Sequence, residues 1–200
     1  SDAFCNMIYS RVYFFPCTDA GNYETIFRND ARRGKLPRRA KQKENIMRRH
    51  DRETSYEEAV TILRGCPYAT VAFHGGEYPY AVPMHFGVAE EDGALILYFH
   101  GAKEGKKLDL LAENSRVAFS AVRFCENVPP KNGIACTATA RFESVFGEGK
   151  LAPVSGEEAE RGLRALLAQN GMEGEIAPAA LSKTCVLRLT VRTLTGKRHE

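Results

Sequence analysis

Lys103, Lys106 and Lys107 crowd the turn that follows the apolar run Leu95, Ile96, Leu97, Tyr98 and Phe99. That turn contains Gly101 and Gly105 and opens a short helix whose Leu108, Leu110 and Leu111 face a core. A helix start offers unpaired backbone N–H groups and the positive end of the helix dipole. Lysines beside it add full charges, so a phosphate would be held there by several effects together. The same pattern also suits a solvated lysine face, and locally both readings stand. A second feature lies upstream, where the strand-like residues 78–88 include Pro79 and Pro83. Two prolines in one strand remove two ladder donors, so the strand lies at an edge or turns its backbone toward something else, a ligand being one candidate. The cysteines (Cys5, Cys17, Cys66, Cys125, Cys136, Cys185) never form the close pairs of zinc or redox sites and read as free thiols, with no metal expected. None stands beside a histidine or basic cluster in sequence, which argues against a cysteine nucleophile.

The elements that must position these groups follow from period and punctuation. The chain has 200 residues, 44% hydrophobic and 26% charged, enough for one buried core with extensions, and its 17 glycines and 9 prolines favour strands and turns over a helical bundle. A hydroxyl cap at Thr54 or Ser55, with Glu57 and Glu58 behind it, starts a helix whose apolar face is Ala59, Val60, Ile62 and Leu63. Gly65 and Pro67 stop it. Residues 68–73 form a strand, the glycine pair Gly75-Gly76 a hairpin turn, 78–88 the returning strand, and 94–99 the third strand of a meander. After the helix at 103–113 come a strand at 116–124, a loop at 125–134 and a long strand at 135–147 that Gly147 and Gly149 break. Ser155 with Glu157 and Glu158 starts a helix through Gln169, residues 170–181 are irregular, and Cys185, Leu187, Leu189 and Val191 alternate in a final strand. The sum is a mainly β (α+β) architecture: a six-stranded antiparallel barrel with helices packed outside.

Residues 1–46 differ from 47–200 and read as an N-terminal extension. They are aromatic-rich up to Phe27, and from Arg28 to Arg52 the chain holds eleven cations against Asp30, Glu44 and Asp51. The net charge of +3 is concentrated there. Such a run suits a solvated linker or an arm on a partner subunit, or binding to nucleic acid or an anionic surface through counterion release. No apolar run approaches the roughly 18 residues that span a bilayer. With free thiols and no convincing signal peptide, a soluble protein of the reducing cytoplasm is expected, with no membrane partner.

Five stretches in order resemble the flavin-binding split-barrel proteins related to pyridoxamine 5′-phosphate oxidase, and within them the 5-nitroimidazole reductase (nitroimidazole-resistance) group. They are residues 47–53 (MRRHDRE), 78–87 (YPYAVPMHFG), 98–107 (YFHGAKEGKK), 142–145 (FESV) with Gly147 and Gly149, and 194–197 (LTGK). The resemblance covers about 47–198 and implies a homodimer with FMN at the interface, each flavin touched by both chains. It places the isoalloxazine edge along Ala81, Val82, Pro83, Met84 and His85, and the phosphate at Lys107, with Lys106, Gly101 and Ala102 in support. The oxidase pattern of a basic pair, an apolar residue and an Asn maps onto Lys106, Lys107, Leu111 and Asn114. His100 becomes the candidate catalytic residue, a polar group beside the flavin or the substrate, with His85 a weaker one. Ser144 matches the family's Ser-Val pair, whereas Glu143 stands where relatives often carry Arg, and a carboxylate there would repel a phosphate.

The activity this implies is an FMN-dependent oxidoreductase passing electrons from a reduced donor to a nitro-aromatic or other small aromatic acceptor, the flavin carrying the redox chemistry. A haem-binding split barrel, and binding to nucleic acid or an anionic surface through residues 28–52, are the alternatives.

Overall fold

The computed structural model describes residues 49–200, and the statements below concern those residues. The chain divides into two units, Ser1–Ile46 and Met47–Glu200. The expected extension 1–46 and the basic run as far as residue 48 lie outside the described residues.

Helix α1 (Tyr56–Arg64) begins with a capping box: the Ser55 hydroxyl accepts from the Glu58 N–H at 3.2 Å, and the Ser55 N–H donates to the Glu58 carboxylate at 2.9 Å. Its Ala59, Ile62 and Leu63 are fully buried. Strands β1 (Ala69–Phe73), β2 (Tyr80–Met84), β3 (Phe86–Glu91) and β4 (Ala94–Gly101) follow, then α2 (Lys106–Glu113), β5 (Arg116–Val128), β6 (Thr139–Val154), α3 (Gly156–Gln169), α4 (Pro178–Lys183) and β7 (Cys185–His199). All seven strands pair antiparallel in one sheet of order β2-β1-β5-β6-β7-β4-β3.

The expected six strands become seven because the returning strand is divided. Up to Met84 it pairs with β1, and from Phe86 it pairs with β4, so the chain changes neighbours at His85. β2 and β3 therefore stand at opposite ends of the strand order although one residue separates them in the chain. No ladder joins them, so the sheet is split rather than closed. Pro83 is accommodated because β2 is an edge strand.

Other boundaries move for local reasons. α2 starts only after Gly105, whose φ of 119° suits a residue without a side chain. β6 runs through Gly147 and Gly149 instead of breaking there. At Gly149 the neighbouring backbone is so close that an added Cβ would stand 2.2 Å from the Thr190 carbonyl oxygen, so the glycine permits the pairing rather than ending it. β5 extends to Val128, and α4 occupies part of the stretch expected to be irregular. β7 continues past Val191 through a bulge: Gly149 pairs with Val191 and Glu148 with Thr193, leaving Arg192 as the extra residue.

The sheet wraps one core. Leu95, Leu97 and Phe99 of β4 meet Leu187 and Leu189 of β7, Val71 of β1 and Phe119 of β5 there. The alternate residues Ile96, Tyr98 and Val186 form a second cluster outside, under Ala159 of α3. A Tyr98 hydroxyl donating to Glu91 at 2.7 Å, and Arg188 paired with both Glu91 and Glu158, tie that helix to the sheet.

Candidate functional site

β3 and β4 pair as far as Phe86 opposite Phe99, which puts His85 and His100 across from each other at the end of the ladder. Gly101 follows, and α2 folds back so that the Lys107 ammonium rests on it: a Cβ added at Gly101 would lie 2.8 Å from Lys107 Nζ. The neighbouring Lys106 reaches the other way, its Nζ 4.9 Å from the centre of the Tyr80 ring on β2. The first turn of one helix thus bridges the ends of β2 and β4. His85, His100, Gly101, Lys106 and Lys107 are brought to one place from stretches separated in sequence.

The electrostatics of this place are one-sided. Among the described residues neither Lys106 nor Lys107 forms an ion pair, although Asp109 lies in the same helical turn. His100 keeps solvent access, yet surrounding protein crowds its ring. That desolvation holds its pKa below the usual imidazole range, and the adjacent His85 and Lys107 push it the same way. At neutral pH the ring is uncharged, able to donate from one nitrogen and accept at the other. The arrangement can hold an anion with several charges while presenting a neutral imidazole beside it.

The remaining expected site residues fall into three groups. Ala81 and Pro83 are exposed on the outward side of β2, whereas Val82 is half-buried and Met84 is buried in the core, so only the Met84 backbone is available to a ligand. Ala102 is exposed beside Gly101. Ser144 is elsewhere on the sheet, in register between Val122 and Lys197, and no described contact joins it to the lysine cluster. The neighbouring Glu143 does not act as a bare charge against a phosphate. It is 6% exposed, sharing the inward face of Val145, and is paired with Arg123 at 2.9 Å and Arg198 at 2.8 Å. Beneath it burial pushes the Cys66 thiol up to about 11, so that cysteine is inert at neutral pH.

Two features escaped sequence reasoning. Tyr80 carries the ring under Lys106, and the alternation of Tyr80, Val82 and Met84 was its only signal. The Glu143 ion-pair set had none, since Arg123 and Arg198 meet it only through the sheet. A recess of about 500 Å³ lies elsewhere, on the outward face of β5, β6 and β7. Val122, Phe124 and Phe146 leave 44–47% of their surface exposed on β5 and β6.

The pyridoxamine 5′-phosphate oxidase family model matches residues 55–198. No curated protein matches the sequence. A solved structure of a candidate 5-nitroimidazole antibiotic resistance protein from Bacteroides thetaiotaomicron is 25% identical, with 72% of this chain and 83% of that one covered and a TM-score of 0.61. The flavocytochrome Anf3 from Azotobacter vinelandii is 19% identical over 78% of this chain and 72% of its own, with a TM-score of 0.62. An FAD and haem binding protein from Mycobacterium smegmatis is 22% identical over 74% of each chain, with a TM-score of 0.59. The last two are alike in fold.

Proposed function

The chain belongs to the pyridoxamine 5′-phosphate oxidase family, and from that membership we propose that it is an FMN-dependent oxidoreductase acting on a nitro-aromatic or other small aromatic acceptor. The observation that carries this reading is the Lys107 ammonium lying on Gly101 beside an uncharged His100, with Lys106 adjacent and, among the described residues, no carboxylate paired to either lysine. Two free cations at a helix start suit a phosphate dianion. Gly101 suits it too, because any side chain there would displace the ammonium.

Bound flavin supplies the electron transfer, and the protein supplies binding and orientation. Lys107 and Lys106 hold the phosphate, with Gly101 and Ala102 leaving room for it. The outward side of β2, from Ala81 through Pro83 to His85, offers an edge to the ring system. His100 orients a polar atom of flavin or acceptor through a neutral hydrogen bond. The nitro-aromatic class rests on the likeness to the Bacteroides protein. The exposed Val122 and Phe146, on the outward side of β5 and β6, support a homodimer that covers that part of the sheet. The free thiols Cys66, Cys125, Cys136 and Cys185 agree with a reducing, cytoplasmic compartment.

The test is a visible spectrum of the purified protein followed by FMN titration. Flavin bands, or saturable uptake of FMN, are expected, and Lys107→Ala should weaken uptake by about 10- to 100-fold, the worth of a charged hydrogen bond. A Soret band without flavin would move the function to haem, and an unchanged FMN affinity in the variant would reject the phosphate assignment.

A further inference from the structure

Arg116, Lys150 and Arg192 converge, with His74, on the recess of about 500 Å³ over β5, β6 and β7. We propose that this recess binds a small organic phosphate with several negative charges and an apolar ring, of the nucleoside diphosphate class. The site is separate from the lysine cluster and shares no residue with it.

Arg116 stands directly opposite Lys150 in the β5–β6 ladder, and like charges facing each other across a ladder are destabilising. No acid of the described residues pairs with either. Among the described residues seven of the eleven arginines are ion-paired, whereas Arg116, Lys150 and Arg192, like Arg52 and Arg161, form no such pair. Glu148 also lines the recess but stays beyond ion-pair distance of all three. A bound polyanion would remove the repulsion.

The bulge in β7 makes Arg192 the unpaired extra residue, and the core-packed residues step from Val191 to Leu194 across it. A bulge of this kind re-aims a side chain, and here it delivers Arg192 to the recess that Arg116 and Lys150 already line. The volume lies within the range of small-molecule sites and far exceeds a lone phosphate. Val117, Ala118 and Val191 give the recess apolar lining, and Thr190 adds a hydroxyl. A cationic rim over an apolar floor selects an anion that carries a ring.

The experiment uses the full chain saturated with FMN, or as purified if it takes up none, titrated calorimetrically with ADP, inorganic pyrophosphate and adenosine. ADP should bind, pyrophosphate more weakly because it leaves the floor empty, and adenosine not at all. Added salt should weaken ADP binding. Arg192→Gln and Lys150→Gln should each weaken ADP by about tenfold, the scale of one charged hydrogen bond, without lowering the melting temperature, and Lys150→Gln should raise it by removing the repulsion of Arg116. Lys107→Ala should leave ADP affinity as it was. The proposal is overturned if ADP fails to bind, if both rim variants bind it normally, or if Lys107→Ala abolishes its binding. Displacement of ADP by a short single-stranded oligonucleotide of higher affinity would assign the recess to nucleic acid instead. Because the readout is ADP binding, its failure leaves the FMN reading standing, and loss of FMN uptake leaves this one standing.

Discussion

His100 shows what a single residue gains from its surroundings. Crowding by protein, with His85 and Lys107 nearby, lowers its pKa from the ordinary value of 6.5. The sign follows from linkage: below 6.5 the unfolded chain takes up a proton that the folded ring resists, so stability attributable to His100 is complete above that value. It is lost progressively as pH falls toward the folded-state pKa. A phosphate bound at Lys107 would offset the neighbouring positive charge and raise the pKa again. NMR titration of the His100 ring should therefore give a midpoint below 6.5 in the flavin-free protein and a higher one with FMN bound. A midpoint that does not respond to FMN would separate His100 from the cofactor.

At the scale of elements, Glu143 links four of them. Its carboxylate joins Arg123 on β5 to Arg198 on β7, and Arg198 also pairs with Glu58 on α1 at 3.1 Å. Glu143→Gln should destabilise the fold by about 1–2 kcal/mol, because two guanidinium partners lose a charged acceptor; both keep solvent contact, which holds the cost at the lower end. Thermal unfolding reads this directly, and a variant as stable as the parent would show the pairs to be incidental. The same network answers the Glu143 charge within the sheet and leaves the lysine cluster free.

At the scale of the whole molecule, the outward faces of β5 and β6 leave Val122 and Phe146 uncovered. Light scattering on the purified protein should give twice the 22.2 kDa chain mass, and Phe146→Glu should shift it toward the single chain while the far-ultraviolet spectrum stays β-rich. A monomeric parent would remove the dimer from the functional reading. The mainly β class, the capped helix at Ser55, the edge character of the proline strand and the basic turn at Lys106 and Lys107 were legible in the residues, because caps, prolines and period-2 alternation act over a few positions. The seventh strand was not, since Met84 and Phe86 look alike locally and only pairing shows that they serve different neighbours. Nor was the passage of β6 through its glycines, which depends on how closely β7 approaches. Sequence alone determined which groups could meet an anion. Tertiary structure decided which of them come together: Lys107 lies on Gly101, Glu143 is answered by two arginines, and Ser144 stands elsewhere. Those distances arise from strand register and a bulge, interactions between residues far apart in the chain.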